Sequence, residues 1–260
     1  MPRKYLSKST FITGLQCEKA LYLKKFQPQL ADEVGLAKQN IFDVGNQVGI
    51  LAQNLFPNGV DASPKDYTKL PEAIDYTQSL IKNGEKIIYE AGFEYDHVRC
   101  FVDILVKNGD AWHIYEVKSS TSVSETYIND ASLQYFILKK CGLNIASISI
   151  VHIDNKYVKK GELDIYKLFK ITPVLEKIQK KTDFVPIELK NLHNVLIQDA
   201  VPKIDIGKHC NKPYECDFKG YCWKNVPSYS VLNISRLKAE TKWGLYNSGY
   251  INIKDIPLET

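Results

Sequence analysis

The hydrophobic period of this chain changes near residue 86, and that change constrains the fold more than any other feature. Before it, apolar residues recur at helical spacing. Phe11, Leu15, Leu21 and Leu23, with Cys17 among them, predict a short helix over 9–23 capped by Ser7 or Ser9. Ile41, Val44, Val48, Leu51, Ala52 and Leu55 predict a second over 36–56, stopped by Pro57-Asn58-Gly59, and 71–82 reads as a third, ended by Asn83-Gly84. From there 86–95, 98–107 and 111–119 are rich in Ile, Val, Tyr and Phe and read as three strands. Asn108-Gly109-Asp110 forms a compact hairpin turn between the last two.

A helix over 127–140 with Gly142 as its C-cap, then an apolar strand over 145–154, complete the core. Helices, three strands, helix, strand is an α/β order: a small mixed sheet flanked by helices. Residues 163–181 and 186–198 add helical or irregular cover. The expected division is a domain over 1–227 and a short helical appendage over 228–260. In the appendage, 231–250 would form two short helices with Asn247-Ser248-Gly249 between them. This tail reads as the start of a further unit cut short at Thr260.

Composition excludes some classes. With 44% hydrophobic and 25% charged residues, the chain is neither disordered nor a bundle of membrane spans. No apolar run approaches the roughly 20 residues a spanning helix needs, and Met1-Pro2-Arg3-Lys4-Tyr5 leads into no signal core. A cytoplasmic location, with no membrane partner, is the expectation. The net charge of +4 is mild, but Arg3, Lys4, Lys8, Lys19, Lys24 and Lys25 face Glu18 alone in the first 30 residues. That segment either tracks a phosphate backbone or is a solvated helix face.

The chemistry-bearing pattern is Asp103 on one strand and Glu116-Val117-Lys118 at the end of the next. Glu116 and Lys118 are two apart, so they leave the same face, and Asp103 on the neighbouring strand can approach them. Two carboxylates suit Mg²⁺ or Mn²⁺, and a lysine beside them can position or deprotonate a water and offset charge at phosphorus. A cross-strand ion pair would look the same in sequence. Asp130 and Gln134 are four apart on the following helix, and Tyr135 follows Gln134. Glu90, a carboxylate in an apolar run, is either a further metal-site acid or a strand-edge charge.

In that order on strand, strand and helix, Asp103, Glu116-Val117-Lys118 and Gln134-Tyr135 resemble the RecB-like branch of the PD-(D/E)XK nucleases. The resemblance covers roughly residues 5–225. It implies that Asp103 and Glu116 hold a catalytic Mg²⁺ or Mn²⁺, that the Val117 carbonyl joins them, and that Lys118 assists the attacking water. Gln134 and Tyr135 match the family's helical motif. Relatives often carry a histidine on an early helix about four residues after a glycine; Gly45-Asn46-Gln47-Val48-Gly49 has none.

Six cysteines in a chain expected to be cytoplasmic argue against a disulfide framework. Cys17 precedes the core while Cys210, Cys216 and Cys222 crowd behind it. Together they supply four thiolates, enough for a 4Fe-4S cluster or a structural zinc, with His209 as a substitute ligand for zinc. The arrangement resembles iron–sulfur RecB-like nucleases, including AddB-type subunits and the nucleases of CRISPR spacer acquisition. There the late trio usually reads Cys-x2-Cys-x5-Cys; here both gaps are five, with Pro213 where a cysteine is expected. Cys100 and Cys141 read as small buried residues. The resemblance implies a DNA exonuclease or flap-type nuclease acting on single strands or DNA ends, in repair or CRISPR adaptation. A non-catalytic DNA-binding or assembly module with a structural cluster is the alternative.

Overall fold

A computed structural model describes residues 5–66 and 68–257. Arg3 and Lys4 of the basic segment, and Thr260, lie outside the described residues. In chain order the elements are β1 (Leu6–Ser7), α1 (Lys8–Gln16), α2 (Glu18–Phe26), α3 (Leu36–Gln53), β2 (Val60–Asp61), α4 (Leu70–Lys82), β3 (Ile87–Tyr95), β4 (Val98–Asn108), β5 (Ala111–Lys118), α5 (Glu125–Lys140) and β6 (Ile145–Ile153). Then follow α6 (Ile165–Leu168), β7 (Phe169–Pro173), α7 (Leu175–Gln179), α8 (Phe184–Leu196), α9 (Lys219–Trp223) and α10 (Ala239–Asn247), with short 3-10 turns between some of them. Contacts divide the chain into two units. The first runs to Ile12 and resumes over Val34–Ile197; the second joins Thr13–Glu33 to the chain from Gln198 onward.

The first unit is a mixed sheet flanked by helices. Its strands run β2-β3-β4-β5-β6-β7, with β1 paired to β4. The β3–β4–β5 pairs are antiparallel and β5–β6 is parallel. Register places Ile88, Leu105, Ile114 and Ile148 in one row across four strands, and all four are fully buried. The opposite face packs Tyr89, Ile104 and Val151 with Ala52 of α3 and Phe169. α5 has no polar face to spare: Ile128, Ala131, Leu133, Ile137 and Leu138 are buried, along with Asp130, Ser132 and Gln134. A helix buried nearly all round lies inside a layered core rather than on its surface.

Several expectations need correction. The helix expected over 9–23 is two helices, because Cys17 adopts an extended backbone (φ −164, ψ 116). α3 ends at Gln53, and Ile41 and Val44 are 65% and 51% exposed, because only its second half reaches the sheet. The C-cap of α5 is Cys141; Gly142 follows it at φ 87 and closes the end by donating its amide to the Lys139 carbonyl. β7 is an edge strand in a region read as helical or irregular. Over 231–250 there is one 3-10 turn and one helix, α10, and Asn247-Ser248-Gly249 ends that helix. No described helix is long and apolar enough to cross a membrane.

Candidate active site

The row two positions along from the buried Ile88–Leu105–Ile114 row lies on the same face of the sheet. On β5 that position is Glu116, so a carboxylate stands where the burial alternation of Trp112 and Ile114 would set another apolar residue. On β4 the matching residue is Asp103. The β4–β5 ladder ends at the Ile104–Tyr115 rung. One residue beyond, Asp103 Oδ2 accepts the Val117 amide at 2.6 Å, so a side chain takes over a backbone bond where the strands part. β1 pairs with β4 on the Val98–Arg99 stretch, and α1 starts at the next residue.

That residue is Lys8. Its Nζ lies 3.0 Å from each oxygen of Glu116 and 3.7 Å from Asp103 Oδ1. Lys118 Nζ donates to Glu116 Oε1 at 2.6 Å and to Asp130 Oδ2 at 2.7 Å. Gln134 Nε2 donates to Glu116 Oε2 at 2.7 Å. Glu116 is 1% exposed and carries four such contacts from three side chains, which is what an ionised carboxylate needs once it has left water. Gln134 Oε1 and Asp130 Oδ1 are buried without a hydrogen-bond partner.

Burial works against the charge on Lys8 and Lys118. The carboxylates of Glu116, Asp103 and Asp130 outweigh it, and both pKa values lie above the ordinary lysine range. Both groups are ammonium ions. Burial pushes the Asp130 carboxyl up, with Lys118 pulling it back.

Glu90 faces Asp103 in the β3–β4 register, at the one rung missing between Tyr89–Ile104 and Ala91–Val102. Its φ is +50, a conformation that costs a non-glycine residue roughly 1–2 kcal/mol. Burial pushes its carboxyl up to about 8, reinforced by Asp103 and opposed by Lys8. Tyr135 is half-buried on α5, about 100° round the helix from Gln134, and its hydroxyl makes no hydrogen bond to this group of side chains.

Lys8 and Asp130 are the members whose part the sequence did not disclose. Lys8 belongs to the basic N-terminal segment, and only its pairing across 108 residues sets it at Glu116. Asp130 shares a helix face with Gln134, and that spacing is its one signal in the sequence.

The second unit contains the other candidate set. Packing of Thr13–Glu33 against the later chain brings Cys17 to the wall of one cavity with Cys210, Cys216, Cys222, His209 and Phe218. Cys17 is the N-cap of α2, and the Ala20 and Lys19 amides there partly offset the burial that raises its thiol pKa. Burial pushes the Cys216 thiol up to about 11, and Cys17, Cys210 and Cys222 add to it. Cys216 donates its amide to the Cys210 carbonyl at 2.9 Å, which closes the loop between them. Among the described residues, no three His, Cys, Asp or Glu side chains stand at ligating geometry. Lys19 and Lys24 of the basic segment are engaged within this unit, with the Ile204 carbonyl and Asp217. Of the remaining pair, Cys100 is buried, whereas Cys141 is exposed.

No family model matches the chain, and no curated protein does. The crystal structure of SSO0001 is similar at 11% identity, over 78% of this chain and 90% of that one, with a TM-score of 0.32. So loose a superposition carries no argument about fold or function.

Proposed function

We propose that the chain is a metal-dependent DNA nuclease with a RecB-like PD-(D/E)XK core, and that its four cavity cysteines hold an iron–sulfur cluster. The observation that carries the reading is the convergence of Asp103 and Glu116 on one cation, the Lys8 ammonium, beside Lys118 and Gln134.

The donor set fits a divalent ion. Its oxygens are hard carboxylate ligands, and a positive charge already stands between Asp103 Oδ1 and Glu116. Glu90 adds a strained, proton-holding carboxyl that a nearby cation would ionise. Asp103 and Glu116 would hold the metal, with Glu90 and the Val117 carbonyl as further ligands. Bound there, Mg²⁺ or Mn²⁺ would supply polarisation of a phosphoryl oxygen and acidification of a water.

The chain's own groups divide the remaining work. Lys118, kept charged by Asp130 and Glu116, sets an ammonium against negative charge developing at phosphorus. Gln134 fixes one oxygen of Glu116 and leaves its own Oε1 to accept from a water. Tyr135 would contact the strand by stacking. DNA, as single strands or ends, is the substrate the family resemblance favours.

For the second set, Cys17, Cys210, Cys216 and Cys222 are the thiolates that would bind a 4Fe-4S cluster, and zinc with His209 is the rival. Four thiols on one cavity wall suit either, and the resemblance favours iron–sulfur. A second functional reading, a non-catalytic DNA-binding module, draws on Lys8 already filling the cation position and on the absent early histidine. Chelation followed by readdition decides between them. A nuclease loses cleavage in excess chelator and regains it with Mn²⁺, whereas a binding module retains DNA without cutting under either condition.

A further inference from the structure

The two ammonium groups at the carboxylates are anchored differently. Lys118 bridges Glu116 and Asp130, so one of its partners lies outside the proposed ligand pair. The direct hydrogen bonds and ion pairs of Lys8 among the described residues go to Asp103 and Glu116, the two groups proposed to take the metal, while Asp130 and Glu90 act on it from farther off. A divalent ion between Asp103 Oδ1 and Glu116 would stand against the Lys8 ammonium with little water between to screen them. Lys8 can leave: it is the first residue of α1, its side chain is 22% exposed, and its four-carbon stem moves without the backbone. Without any cation, Asp103 and Glu116 would repel each other.

We propose that Lys8 is a positioning residue, an internal counter-cation that holds Asp103 and Glu116 together and gives up its place when a divalent cation binds. The inference rests on the metal-site reading above. It makes metal uptake an exchange of one cation for another, so the resting site is filled by the protein's own charge and protected from collapse or misfolding of its acids.

Two measurements test it on the full chain. The first is Mn²⁺ titration followed by the paramagnetic resonance of the free ion. Lys8→Gln and Lys8→Met should bind Mn²⁺ about tenfold more tightly than wild type, since no ammonium must be displaced. Lys8→Arg, which keeps the charge, should bind no more tightly than wild type. The second uses wild-type protein alone: an amine-acylating reagent, with labelled lysines mapped by mass, should modify Lys8 severalfold faster once Mn²⁺ is present.

If Asp103→Asn loses Mn²⁺ while Lys8→Gln binds as wild type does, the metal site stands and the exchange is wrong. Unchanged Lys8 labelling on Mn²⁺ binding overturns it equally, whatever becomes of the variants' folding. If wild type and every Lys8 variant bind no Mn²⁺, the metal-site reading falls and the exchange falls with it.

Discussion

Gln134 donates a 2.7 Å hydrogen bond to Glu116 from a side chain that is itself fully buried. The bond joins the middle of α5 to the end of β5, so it ties the helix to the sheet at the point where the acids gather. Gln134→Leu removes the donor and leaves a buried carboxylate oxygen short of one partner. Urea unfolding should show a loss of about 1–3 kcal/mol, and cleavage should fall at least about tenfold.

Lys118 and Asp130 form a pair whose removal can separate fold from chemistry. Lys118→Met leaves Asp130 buried without its cation, which should cost about 3 kcal/mol or more. The double variant Lys118→Met/Asp130→Asn takes away the uncompensated charge as well. It should recover much of the stability in the same unfolding assay and none of the cleavage.

Stability without metal should depend on pH through Glu90. Its carboxyl is raised from an ordinary 4.5 to about 8 by burial first and by Asp103 second. The folded chain therefore holds a proton that the unfolded chain has released. The stability this contributes is full below about 4.5 and is lost as pH rises to about 8. Asp130, also raised by burial, acts in the same direction. Thermal melts in chelator should fall across that window by the equivalent of a few kcal/mol. Glu90→Gln should flatten most of the decline, and Mn²⁺ should flatten it in wild type.

The cysteine set predicts a coloured protein. Purified without oxygen, it should carry iron and acid-labile sulfide together with visible charge-transfer absorption. Cys216→Ser and Cys222→Ser should each lose all three and lower the melting temperature, because binding such a group is coupled to folding. Cys141→Ser, a change at an exposed thiol outside the second unit, should retain them. Bound zinc without sulfide in wild type would replace the iron–sulfur assignment by its rival.

Much of the first unit was legible because its signals are local. The strands β3, β4 and β5 carry their own apolar runs, and Asn108-Gly109-Asp110 marks the turn, with Gly109 at φ 59. Asp103, Glu116 and Lys118 followed from strand parity, which needs only neighbours in sequence. What depended on distant partners was not legible. β1 and β2 are two residues each and exist only because β4 and β3 pair with them. Phe169–Pro173 reads as irregular because at the sheet edge it shows no regular alternation: Phe169 is buried, Thr172 is half-buried, and Lys170, Ile171 and Pro173 are exposed. The break at Cys17 falls on a residue that is neither glycine nor proline, while Gly14 just before it stays helical. In sequence Lys8 is one more charge of a basic segment, and it is the parallel pairing of β1 with β4 that sets it beside Glu116.

The most direct test is digestion of end-labelled single- and double-stranded DNA by anaerobically purified protein with Mg²⁺ or Mn²⁺, beside Glu116→Gln and Lys118→Met. Glu116→Gln is preferred to alanine because it keeps side-chain volume and one acceptor oxygen at a buried position. The account predicts metal-dependent loss of labelled DNA by wild type, reduced by at least about a thousandfold in both variants. DNA left intact by folded, cluster-loaded wild type, or cleavage that persists in Glu116→Gln, would contradict it.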